Sequence, residues 1–296
     1  MPSWSQKFII YPIQGLVAWG LNIFFYLLPL DIASATGGWL GRTVGPKLKV
    51  SNTARRELAR VFPKLNNNEI EKIVIGMWDN LGRTAGEHPH LDKFNPYEEN
   101  SRVEVLGAEI IDQARDDNLP GIAFSGHLAN WELGPLASTK RGLPLRLVYR
   151  RANNPFFDRL LQRARASTGA EYLPKGAEGA KDIVRSLSKG EHIAMLVDQK
   201  MNDGVMIPFF GREAKTAPAL AQLALRYKCP VVPVQVERLK GANFRITVHT
   251  PIQSPDTGNK KADIIRMMTD VNKHLEDWIK QKPEQWLWVH NRWPID

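Results

Sequence analysis

Residues 121–132 read GIAFSGHLANWE. The first four are apolar or small, which is the length and character of a strand buried on both faces. Ser125-Gly126 breaks that run, and a helix is expected to begin near Asn130. The same sequence of strand, short loop and helix recurs on both sides. Strand signals stand at 103–106, 145–149, 193–197, 231–236 and 244–248. Helical periodicity follows Pro155, with Phe156, Phe157, Leu160, Leu161 and Ala164 on one face, and continues over 180–187, 217–227 and 262–280. Residues 51–92 also read as helical, with Ile70, Ile73, Val74, Met77, Trp78 and Leu81 along one stripe. The expected class is therefore α/β: a largely parallel central sheet with surrounding helices.

In such sheets functional groups collect beyond the carboxyl ends of the strands. Three loops qualify: 125–132, 150–155 and 198–211. His127 lies just past a strand, and Glu132 follows five positions later. A histidine with a carboxylate to fix its tautomer is the usual general base near neutral pH. The helix start expected beside it would offer N–H groups to a developing oxyanion. The bland reading is a strand-end histidine next to an acid that complements a helix dipole. Ser125 lacks the flanking glycines of a nucleophile elbow and receives no nucleophile role. Asp198 ends the apolar run 193–197, where a carboxylate can bind substrate or anchor its loop. No third ligand converges with Asp198 and Asp203, so no metal is expected. No cofactor is expected either. Glu87-His88-Pro89-His90 reads as a solvated loop.

Arg141, Arg146, Arg150, Arg151, Arg159, Arg163 and Arg165 crowd one stretch in which Asp158 is the only acid. Arginine recognises phosphate through a planar fork. A solvated face with arginines packing by their stems uses the same residues. Lys and Arg total 40 against 31 Asp and Glu, which favours an anionic partner. No helix-turn-helix, RRM or zinc signature accompanies that charge, which argues against nucleic acid. The one cysteine, Cys229, excludes a disulfide framework and a thiolate zinc cluster.

Residues 8–30 carry no charge, and a bilayer span takes about 20 apolar residues. Tyr11, Trp19 and Tyr26 suit an interface, whereas Pro12 and Pro29 argue against a straight rod. Two regions are expected: a membrane-embedded or membrane-associated helix over 1–30 and a cytoplasmic domain over 31–296. The sidedness follows from Arg42, Lys47, Lys49, Arg55, Arg56 and Arg60, a basic cluster that the positive-inside tendency holds in the cytoplasm.

The stretch from His127 to Glu132 resembles the His-x4-Asp/Glu motif of the glycerolipid acyltransferase superfamily, in the form used by late acyltransferases of lipid A biosynthesis (lauroyl and myristoyl types). Residues 149–155, Asp198-Gln199, Pro208-Phe209-Phe210-Gly211 with Thr216, and the aromatic end from Trp286 to Trp293 resemble that family's further blocks in order. The resemblance runs along nearly the whole chain. It implies transfer of a fatty acyl chain from acyl carrier protein to a hydroxyl of a lipid A precursor, at the bacterial inner membrane. His127 would act as base with Glu132 behind it. Arg150, Arg151, Arg163, Arg165 and Asp198 would bind substrate, the Arg163/Arg165 pair being the family's functional arginine site. Other glycolipid or phospholipid acceptors would use the same chemistry. A non-catalytic membrane-surface scaffold would not need the His127 imidazole.

Overall fold

The computed structural model describes residues 4–294. The chain opens with a π-helical turn, Gln6–Ile10, that runs into α1 (Tyr11–Leu27). Pro12 sits in the first turn of α1 and lacks the N–H that a regular turn would need there, which accounts for the wider turn before it. Then come α2 (Leu30–Val44), α3 (Ser51–Val61) and α4 (Asn67–Glu87). The uncharged run is thus one helix that stops at Leu27. Leu28 is extended, and Pro29 redirects the chain into α2.

Asn66 starts α4 with a reciprocal cap. Its side chain accepts from the Asn68 and Glu69 N–H groups, and Glu69 accepts from the Asn66 N–H at 2.8 Å. Glycines let α2 and α4 touch backbone to backbone. A Cβ at Gly41 would stand 2.0 Å from the Trp78 carbonyl oxygen, and one at Gly82 would stand 2.1 Å from that of Gly37. After α4 comes a 3-10 turn, His88–Lys93. Here the expectation of a solvated loop fails. Glu87 and His90 are fully buried, because Glu87 pairs with Arg238 and the His90 Nε2 donates to the Phe25 carbonyl at 2.9 Å.

The remaining elements are β1 (Val103–Leu106), α5 (Ala108–Asp116), β2 (Gly121–Ser125), α6 (Leu136–Thr139), β3 (Leu145–Tyr149), α7 (Pro155–Arg165), β4 (Glu171–Pro174), α8 (Ala177–Ser188), β5 (His192–Leu196), β6 (Val205–Phe209), β7 (Arg212–Thr216), α9 (Ala219–Tyr227), β8 (Val231–Lys240), β9 (Asn243–Val248) and α10 (Lys260–Gln281). A seven-stranded sheet has the order β1-β9-β8-β2-β5-β3-β4, and only the β8–β9 pair is antiparallel. The α/β class and the mostly parallel sheet stand as expected. The β6–β7 hairpin lies outside the sheet and turns through Phe210 and Gly211, both at positive φ, as a two-residue hairpin loop requires. No helix starts at Asn130. A 3-10 turn, Trp131–Leu133, leads instead to the single turn of α6.

The central strands β2 and β5 are parallel neighbours, with Gly121 opposite His192 and Ser125 opposite Leu196. Phe124 and Ile193 are buried between the sheet and α10, where Met267, Val271, Leu275 and Trp278 face inward. Trp286, Trp288 and Trp293 close the same core beside Phe209.

Candidate active site

The β2–β5 register fixes the site. His127 stands two residues beyond Ser125, and Asp198 two residues beyond Leu196, so adjacent strands deliver the two side chains to one place. The His127 Nδ1–H donates to Asp198 Oδ1 at 2.7 Å, and the His127 backbone N–H donates to Oδ2 at 2.8 Å. The Trp286 indole donates to Oδ2 as well, at 2.8 Å. The carboxylate is 3% exposed. Burial opposes its charge, but His127 and the indole outweigh that and hold the carboxyl well below the usual carboxylate range. Burial likewise favours neutral His127. The Asp198 charge and hydrogen bond win, and with Glu132 nearby they leave the imidazole pKa above its ordinary value. With Nδ1–H committed to Asp198, the lone pair sits on Nε2.

Glu132 does not hold the imidazole as expected. Its carboxylate accepts two bonds from Arg165, 2.8 Å from Nε and 2.7 Å from Nη2, and a third from the Trp131 indole at 3.1 Å. The short 3-10 turn aims the side chain toward α7, and β5 brings Asp198 to the ring in its place. Burial works against the Glu132 charge, yet Arg165 keeps the carboxyl below its ordinary value. Tyr149 and Tyr172 flank the Arg165 guanidinium at 5.8 and 5.1 Å, and burial together with the Glu132 charge pushes the Tyr172 hydroxyl up to about 12. The Trp131 ring meets the His127 ring edge-on at 5.1 Å, so the two pairs form adjoining halves of one site.

The arginine run divides. Arg141 pairs with Asp112, Arg146 with Glu171 and Glu191, and Arg165 with Glu132. The fork of Arg165 is therefore filled by protein, contrary to its expected role on substrate. Arg163 is exposed and lies 5.8 Å over the Trp19 ring of α1. Arg150 and Arg151 are exposed at the end of β3, with no partner among the described residues.

The loop carrying His127 is clamped from two sides. The Ala129 carbonyl accepts from Asn80 at 3.1 Å and from Thr84 at 3.2 Å, both on α4. The Ala129 N–H donates to the Gln285 carbonyl, and the Leu287 N–H donates to the His127 carbonyl. Beneath the loop, Asn130 donates to Glu87, which also takes bonds from Arg238 and Ser34. This support is not legible in the sequence, because its members are scattered along the chain and share no spacing. Nor is any role for Gln199 and His290, which stand beside the His127 ring. Their signal was position alone: Gln199 follows Asp198, and His290 lies in the aromatic end. Among the described residues no group of three or more His, Cys, Asp or Glu side chains is placed to hold a metal ion.

A family model described as bacterial lipid A biosynthesis acyltransferase matches residues 3–294. A lipid A biosynthesis acyltransferase of Haemophilus influenzae is 26% identical, over 92% of this chain and 86% of its own. The lipid A biosynthesis palmitoleoyltransferase of Escherichia coli is 25% identical over 98% and 94%, and the lauroyltransferase of the same organism 24% over 99% and 95%. Among solved structures, the 1-acyl-sn-glycerophosphate (LPA) acyltransferase of Thermotoga maritima superposes with a TM-score of 0.34 at 12% identity, covering 90% of this chain and 98% of that one.

Proposed function

Because the chain belongs to the bacterial lipid A biosynthesis acyltransferase family, we propose that it moves a fatty acyl chain from an acyl carrier protein thioester to a hydroxyl of a lipid A precursor, with His127 as general base. The observation that carries this reading is the His127–Asp198 bond at 2.7 Å, which leaves Nε2 as the basic nitrogen. The acceptor hydroxyl gives its proton to Nε2 while its oxygen bonds to the thioester carbon. Collapse of the tetrahedral intermediate breaks the C–S bond, and the imidazolium returns the proton to the departing thiolate. Asp198 stabilises the transient imidazolium. Glu132 adds negative potential one layer further out and keeps Arg165 in place.

Acceptor phosphate falls to Arg150 and Arg151, whose forks are unoccupied, and to Arg163 at the α1 boundary. The helix spanning Gln6–Leu27 is long and apolar enough to cross a bilayer. It anchors the protein in the bacterial inner membrane, with the basic cluster after it keeping the catalytic domain on the cytoplasmic side.

The test uses full-length protein in detergent with a lipid A precursor and either an acyl carrier protein thioester or the matching coenzyme A thioester. The lipid mass should rise by one acyl group, with the carrier protein preferred. His127→Ala should lose about 10²- to 10⁴-fold in rate while remaining folded. No mass gain from either donor, or near-normal turnover by the folded variant, overturns the reading.

A further inference from the structure

The Nε2 side of His127 is occupied. The Gln199 side-chain nitrogen lies 3.3 Å from His127 Nε2 and 3.0 Å from His290 Nε2. An amide nitrogen carries two hydrogens, and each imidazole can supply one lone pair. The His127 lone pair is on Nε2 because Nδ1–H is committed to Asp198. His290, though partly exposed, is held toward its neutral form, first by desolvation against its neighbours and then by the nearby His127. The contacts therefore form one directed chain: Asp198 accepts from His127, and Gln199 donates to His127 and to His290.

The Gln199 nitrogen stands where a hydroxyl must come if His127 is to take its proton. A hydroxyl arriving there frees one Gln199 N–H, while the other N–H stays on His290. The freed N–H then lies beside the carbon under attack, because the reacting carbon sits about 3 Å from the hydroxyl oxygen. A neutral amide at that point stabilises the oxyanion and is too weak an acid to give up its proton. Among the described residues the loop after His127 supplies no full-length helix N-terminus for the task, since only a 3-10 turn and the single turn of α6 follow.

We propose that Gln199 is a catalytic hydrogen-bond donor to the tetrahedral oxyanion, and that His290 is the positioning residue that aims its carboxamide. This rests on acyl transfer with His127 as base. The C=O π pair moves onto oxygen as the new C–O bond forms, Gln199 donates a hydrogen bond without transferring the proton, and the pair returns when the C–S bond breaks.

The experiment measures steady-state acyl transfer by full-length protein bearing Gln199→Met, His290→Leu or His290→Gln, beside wild type and His127→Ala, with thermal unfolding of each. Gln199→Met should lower kcat by about 10²- to 10³-fold with little change in KM. His290→Leu should lower kcat less. His290→Gln, which offers a carbonyl acceptor to the same N–H, should recover most of that loss. A purely packing role would shift the unfolding temperature and would not distinguish His290→Leu from His290→Gln in kcat. If wild type is active and His127→Ala is not, yet folded Gln199→Met keeps its kcat, the donor role is overturned and the general-base reading stands. If wild type transfers no acyl group, the general-base reading itself has failed.

Discussion

Asp198 takes three N–H donors, and two of them belong to His127. That arrangement makes Asp198→Asn informative. An amide can accept at one atom only, so its NH2 would face either the His127 backbone N–H or the Nδ1–H. Either the ring turns to the wrong tautomer or a donor is left facing a donor. We expect kcat to fall by about 10²- to 10⁴-fold with the fold retained. The pH profile has a definite sign. As the proposed base His127 would work unprotonated, and Asp198 raises its pKa, so the wild-type acid limb should stand above the pH of an ordinary imidazole. Removing the charge should move that limb to lower pH. An unmoved limb would mean that Asp198 does not set the base. Both residues are readable as strand-end groups, but their partnership is not. It depends on β2 and β5 being neighbours, and two other strands separate them along the chain. Glu132 suggested itself because it is close in sequence, while the Arg165 that claims it arrives from α7.

The element that joins α1 to the site is α7. Asn154 accepts from the Phe156 N–H at 3.0 Å, capping the helix, and donates to the Tyr11 carbonyl at 3.0 Å and to Gln14 Oε1 at 3.3 Å. Gly15 lets α1 approach until a Cβ there would stand 2.6 Å from that of Phe156. Asn154→Ala should cost about 0.5–2 kcal/mol through the cap and should also loosen α1. Asn154→Asp separates the two roles, because it keeps the cap acceptor and loses the donor. Its thermal stability should stay near wild type, while protease cleavage between α1 and α2 should speed up. Protection of Asn154→Asp equal to that of wild type would show that the tether to Tyr11 is idle. The central strands were readable because burial on both faces gives unbroken apolar runs. The β4 strand and the β6–β7 hairpin were not: they are short, at an edge or outside the sheet, and hold Pro174, Pro208, Glu213 and Lys215. The α2 helix carries no such signal, because its glycines are poor helix formers until α4 supplies the surface that needs them.

For the whole molecule the dominant imbalance is between the faces of α1. Only Gly15 and Phe25 are buried within it, whereas Leu16 and Leu27 are 76% and 74% exposed. Trp39 and Val44 on α2 are exposed as well, a few residues before Lys47 and Lys49. Full-length protein should therefore stay with the membrane fraction through high salt and alkaline carbonate, and should leave it only in detergent. Release by salt alone would show that the basic cluster, and not α1, does the holding. The paired strand ends have one more consequence, which concerns length. From Ser125 to His127 and from Leu196 to Asp198 the chain has no spare residue. Inserting one in either linker would carry its side chain about 3.3 Å onward and turn it to the opposite face. The site can therefore absorb many substitutions around it, yet it should reject any insertion or deletion at these two points. Drift in a lineage of such chains has to place its gaps elsewhere, in the hairpin, the surface turns and the ends.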